Sequence, residues 1–127
     1  MNIALWVVQV LLAFFFLMAG GNKLVTPIAD LAQQIGPWVS EMPELLIRFI
    51  GLAEVAGALG LILPAATRIK PILTAFAADG LAIIMVLAAL FHLSRGEYPP
   101  IAFNVVLFLL ATFVFYGRWK LVPIAPR

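Results

Sequence analysis

Three things are scarce in this 127-residue chain: cysteine, histidine and charge. There is no Cys, so disulfides, thiol redox couples, iron–sulfur ligation and thiolate-bound metal are excluded. The single histidine, His92, cannot make a histidine-rich haem or zinc site. Charged residues make up 11% of the chain, against about 25% in water-soluble domains. No phosphate-binding glycine loop, nucleophile elbow, internal repeat or basic nucleic-acid surface is present. Any redox chemistry must therefore come from a bound group or a partner, and the chain is not expected to be an enzyme on its own.

What fills the sequence is apolar. Hydrophobic residues make up 65% and the mean hydropathy is +1.12, so the chain cannot cover itself with a polar surface and reads as an integral membrane protein. Four runs are long enough to span: Ile3–Gly21, Leu45–Leu63, Ile72–Leu93 and Ile101–Tyr116, the last extending into Gly117. None shows the alternation of a barrel strand, so the expected fold is a single all-α domain, a bundle of four transmembrane helices. No Lys or Arg precedes the first run, and it is long for a signal core, so it is expected to be retained as a span.

The breaks are sharper than the runs. Pro64 and Pro71 bracket a short basic turn, and Gly96 to Pro100 separates the third run from the fourth. The longer connection, Asn22–Glu44, holds Ile28, Leu31, Ala32 and Ile35 at helical spacing. Thr26-Pro27 stands as a cap and first residue, and Gly36-Pro37 as a stop. This predicts a short amphipathic helix at the membrane surface, or else an irregular lid over the bundle.

Arg68, Lys70, Arg118, Lys120 and Arg127 flank the spans on one side. Lys23, Arg48 and Arg95 flank them on the other, among four acidic residues. The excess of basic residues predicts that both termini are cytoplasmic, in a bacterial inner membrane.

The candidate site residues are the polar groups that hydrocarbon disfavours: Gln9, Lys23, Arg48, Glu54, Asp79, His92 and Asn104. A charge at the bilayer centre costs roughly 2.5–3.5 kcal/mol even on insertion scales, so these groups should face the bundle or one another. Gln9 and Lys23 lie about 40° from eclipsed on a helix and share a face with Ala13, Phe16 and Gly20. Asp79 and His92 are about 140° out of phase and do not serve one site. Small residues surround Glu54, with Ala53-x-x-x-Gly57 and Ala56-x-x-x-Gly60 inviting close approach to the third span. The expected cluster joins Glu54 to Lys23, His92 and Asn104, with Arg48 beside it. Gln9 and Glu54 are the nearest candidate partners for Asp79.

Four segments, taken in order, carry a family likeness: "AGGNKL", "RFIGLAEVAGALGLILP", "FHLSRGE" and "NVVLFLLATFVFYGRW". Across nearly its whole length the chain resembles the DoxX-like family of small four-span membrane proteins. The polar positions of the family's motifs match Lys23, Glu54, His92 and Asn104, whereas Gln9 and Asp79 are particular to this sequence. The resemblance implies a place near membrane oxidoreductases, oxidative-stress complexes or receptor assembly. Two functions remain open. One is an accessory or assembly subunit bound to a membrane-protein partner or to a second copy of itself. The other is a protein whose polar cluster receives a quinone, a lipid or another small amphipathic molecule in support of an oxidoreductase. A proton or ion path through Gln9, Glu54 and Asp79 is weaker, since four short spans barely enclose a pore.

Overall fold

The computed structural model describes residues 1–127, and 85% of them are helical with no strand. Four long helices and one short one follow in order. They are α1 (Asn2–Val25), α2 (Ile28–Ile35), α3 (Glu44–Thr67), α4 (Ile72–Ser94) and α5 (Tyr98–Tyr116). The four long ones are each apolar enough to cross a membrane. Short connections make neighbours antiparallel, so both termini and the α3–α4 turn share one end, the terminal end. Residues 26–43 and 95–97 share the other, the long-loop end.

Only 28 of the 127 residues are buried, while Phe14, Leu11, Leu45 and many other large apolar side chains are exposed. In water this surface would aggregate; in lipid it is solvated, which identifies the four-helix bundle as a membrane fold. The core is a stripe of Leu12, Phe16, Leu61, Leu81, Leu107 and Val114 with small alanines between them. Within it α1 packs chiefly on α3 and α4 on α5, and α3 joins the two pairs through α4.

Glycine sets the closest approaches. A Cβ on Gly20 would lie 2.6 Å from the carbonyl oxygen of Gly51, and one on Gly51 would lie 2.7 Å from that of Gly20. The α1–α3 pair therefore meets backbone to backbone. Gly57 and Gly60 admit Leu81 and Ala77 of α4, as their spacing suggested. Ala56, by contrast, is exposed.

The helices overrun the sequence-predicted ends. Pro64 does not stop α3, which continues to Thr67 with Pro64 inside its last turns. A proline there forfeits one hydrogen bond, to the Gly60 carbonyl, and α3 continues for its final turn despite it. The fourth span starts at Tyr98, not Ile101: Pro99 and Pro100 fall in its first turn, which needs no intrahelical donors. Pro27 is the residue before α2, not its first, and Thr26 closes α1. Helix α2 ends at Gly36, whose φ of 134° suits glycine. Leu31 of α2 and Val39 of the following 3₁₀ turn pack on Ile47 of α3, so this connection is a helical cap over the long-loop end of the bundle.

Candidate functional site

Glu54 sits in α3 ten residues from its start, about 15 Å along the axis, and is 3% exposed. The room for it comes from Gly20: a Cβ there would lie 2.9 Å from that of Glu54. One helical turn on from Gly20, Lys23 reaches back across the crossing, and its Nζ donates to Glu54 Oε1 at 2.8 Å. The Lys23 side chain is 15% exposed and that of Glu54 3%, so the acid is the more deeply buried member of the pair. A charge-assisted bond between oppositely charged groups is the arrangement that lets a carboxylate stay in a span.

Arg48 does not touch Glu54. Its Nη1 donates to the backbone oxygens of Lys23 and Thr26, both at 2.7 Å, and its Nη2 lies 3.5 Å from Glu44. These carbonyls belong to the last turn of α1 and the residue after it, where intrahelical donors run out, so a guanidinium there caps α1 and favours its dipole. Lys23 is thus held twice, by its side chain through Glu54 and by its carbonyl through Arg48.

His92 and Asn104 do not join this pair. His92, at the end of α4, places Nδ1 2.8 Å from Glu97 Oε1; a carboxylate only accepts, so Nδ1 carries the hydrogen. Arg95 Nε lies 3.3 Å from the same oxygen, and Arg95 also bonds to Glu41 in the cap. Trp38 of the 3₁₀ turn sets its ring edge-on to His92 and Phe91, with centroids 5.5 and 5.7 Å away. The hydrogen bond from His92, and then Arg95, hold the Glu97 carboxyl below its usual range. The result is a separate latch between α4 and the cap. Asn104 is buried on α5 with its Nδ2 lacking any partner.

Asp79 departs further from expectation. It is half-buried on α4 and makes neither a hydrogen bond nor an ion pair. Gln9, its expected partner, is engaged elsewhere: Gln9 Nε2 donates to the Leu61 carbonyl at 2.7 Å, and Gln9 Oε1 accepts from Arg118 Nε at 2.7 Å. Glu54 is taken by Lys23.

Arg118 enters the sequence reading through the flanking charge and the closing segment of the family likeness, and not among the candidate site residues. After α5 the chain makes one wide turn, Gly117–Leu121, closed by a bond from Val122 N to Gly117 O at 2.7 Å. Gly117 packs on Leu5 with no room for a side chain. Arg118 is thereby carried inward to 3% exposure, where it also bonds Asn2 at 2.8 Å and the Val122 carbonyl at 3.1 Å.

No three His, Asp or Glu side chains converge on one point to hold a metal. Two open surface grooves, one beside the α3–α4 turn and one along α1, are not lined by Lys23, Glu54, His92 or Asn104. Chemically, then, the Glu54 centre is a neutralised ion pair. The unsatisfied polar atoms are elsewhere, at Asn104 Nδ2, Arg118 Nη2 and Thr74 Oγ1.

A family model described as the DoxX-like family matches residues 7–114, which spans α1 to the last turn of α5 and all seven sequence-predicted site residues. No curated protein and no solved structure matches the chain.

Proposed function

The chain belongs to the DoxX-like family, and from that premise we propose that it is an accessory or assembly subunit of a larger membrane complex, one with a redox function, in the bacterial inner membrane with both termini cytoplasmic. Asp79 carries the proposal. A carboxyl group in a span, seven residues past the start of α4 and half-exposed with no partner in its own chain, calls for a donor from outside it. Gly80 next to it faces open space, which lets another helix come close. The Lys23–Glu54 pair fits the same reading, because a neutralised, buried pair is an internal strut.

The test is gentle detergent extraction followed by native mass spectrometry, with a cysteine placed at Gly80 as the chain's sole thiol for cross-linking. A different membrane protein that co-purifies, cross-links through position 80 and is lost in Asp79→Leu supports the proposal. A monomer that carries a stoichiometric small molecule overturns it. One observation favours that second reading: the orphaned Asn104 Nδ2 could donate to a carbonyl, as a quinone-like ligand presents.

A further inference from the structure

The ion pairs of this protein all lie in the long-loop half of the bundle. The side chains of the terminal end include cations and no carboxylate to match them. Arg68, Lys70, Arg118 and Arg127 line one pocket of about 520 Å³ between the α3–α4 turn and the C-terminal tail, with Ile72 and Leu73 on its wall. Of the six acidic residues, five lie at Glu54 or toward the long-loop end. The sixth, Asp79, is about 10 Å deeper than Ile72 along α4.

The pocket is built rather than incidental. The tail is fastened to the turn by two bonds, Arg127 N to the Arg68 carbonyl at 3.0 Å and Arg68 Nε to the Ala125 carbonyl at 2.9 Å. Arg68 and Lys70 both hold positive φ, 60° and 47°, so the turn adopts a tight conformation that side-chain-bearing residues seldom take. Arg118 is the decisive member. Its acceptors are the side-chain oxygens of Gln9 and Asn2 and one backbone carbonyl, all neutral, and its Nη2 has no acceptor at all. A guanidinium at 3% exposure has the Trp6 ring 5.6 Å away as its one further electrostatic partner, and with no counter-charge in the chain it favours an anion nearby. Helix α4 begins at this pocket without a side-chain cap, its Leu73 and Thr74 amides already donating to the Lys70 and Pro71 carbonyls.

We propose that this pocket binds a phosphate group, supplied by the headgroup of an anionic phospholipid. Lys70 and Arg68, both exposed, hold the phosphate over the Arg118 guanidinium, and the exposed Ile72 and Leu73 run beside the acyl chains. The site is independent of the subunit reading, since Asp79 lines no part of it.

The experiment adds phosphatidylglycerol or phosphatidylcholine to delipidated protein in neutral detergent and reads the first bound lipid by native mass spectrometry. Phosphatidylglycerol should be retained preferentially, one per chain. Lys70→Gln, which breaks no hydrogen bond, should weaken it roughly fivefold, and Arg68→Gln with Lys70→Gln about 25-fold. Lys120→Gln removes the same charge from the same end but outside the pocket, against Trp119, and should change retention less than twofold. A second arm adds sodium phosphate to protein in phosphatidylcholine: thermal stabilisation that Lys70→Gln abolishes would keep the phosphate site and make its source soluble. The proposal is overturned if the two lipids are retained equally and phosphate has no effect. It is equally overturned if Lys120→Gln is as harmful as Lys70→Gln, because the attraction is then diffuse.

Discussion

The Lys23–Glu54 pair makes an asymmetric prediction. Removing Lys23 as Lys23→Met strands a carboxylate that is 3% exposed and about 15 Å along its helix. Removing the acid as Glu54→Gln leaves an ammonium that is already 15% exposed at the last turn of α1 and can extend its stem to the interface. Breaking a buried pair costs about 3–5 kcal/mol when the remaining charge is trapped, so Lys23→Met should fall in that range. Glu54→Gln should cost about 1–2 kcal/mol, since the amide oxygen still accepts from Lys23 and only the charge assistance is lost. The double replacement leaves neither charge and should cost less than Lys23→Met alone.

The assay is reversible unfolding in mixed micelles, followed by helical circular dichroism, for all four members of the cycle. A coupling energy of about 2 kcal/mol or more is expected. Interhelical hydrogen bonds between neutral groups in membranes average about 0.6 kcal/mol, because the unfolded chain in lipid finds other partners. A coupling at or below that figure, or a Glu54→Gln variant less stable than Lys23→Met, would refute the claim that a sealed carboxylate sets the energetics of this crossing.

Three further outcomes follow from the geometry. Gly20→Ala places a methyl 2.6 Å from the Gly51 carbonyl and should cost about 1–3 kcal/mol in the same assay, whereas Gly21→Ala, which meets nothing within 4 Å, should be nearly neutral. Glu97 is held below the usual carboxylate range by the hydrogen bond from His92 and then by Arg95. Its contribution is therefore full above the unfolded value of about 4.3 and is lost as pH falls through the lower folded value. Glu97→Gln should remove that acid-side loss from a thermal unfolding series, and an unchanged series would count against the latch. Reporter fusions after Leu93 and after Arg127 should report opposite sides of the membrane, with the latter cytoplasmic.

How far the sequence could be read depended on whether one helix or two were involved. The buried face of α1, with Gln9, Ala13, Phe16 and Gly20 all inward, follows from 100° per residue and the polarity of its ends. Four spans and a capped connection followed from composition and punctuation. Pairing between helices did not follow, because depth and angle say that a side chain looks inward but not which neighbour stands opposite. Hence the sequence pairs Asp79 with Gln9 or Glu54, and His92 and Asn104 with Glu54, while the actual partners are Arg118 for Gln9, Lys23 for Glu54 and Glu97 for His92. The Gly20–Gly51 contact was missed for the same reason, since the inward face of α1 that includes Gly20 does not say that Gly51 stands opposite. Arg118 was within reach. Asn104, Leu107, Ala111, Val114 and Arg118 recur at alternating steps of three and four, so the arginine continues the buried stripe of α5.

In lipid there is no hydrophobic drive between helices, so the apolar middle of the bundle contributes close packing but little specificity. Register is fixed at the two ends. At the long-loop end Lys23, Glu54 and Arg48 tie α1 to α3, and His92, Arg95 and Glu97 tie α4 to the cap. At the terminal end Gln9 and Arg118 tie α1 to both α3 and the turn after α5. This separates the polar groups into those that the fold consumes and those that it leaves over. Asp79 on α4, Nδ2 of Asn104, Nη2 of Arg118 and Oγ1 of Thr74 are the remainder, and the proposals above rest on the first three. A variant at a consumed group should lower stability and affect function only through the amount of folded protein. Asp79→Leu touches no bond in the chain, so it should leave unfolding unchanged or improve it while abolishing whatever association Asp79 serves. If Asp79→Leu instead destabilised the isolated chain to the same degree as Lys23→Met, Asp79 would belong to the fold, and the argument for an external partner at α4 would fail.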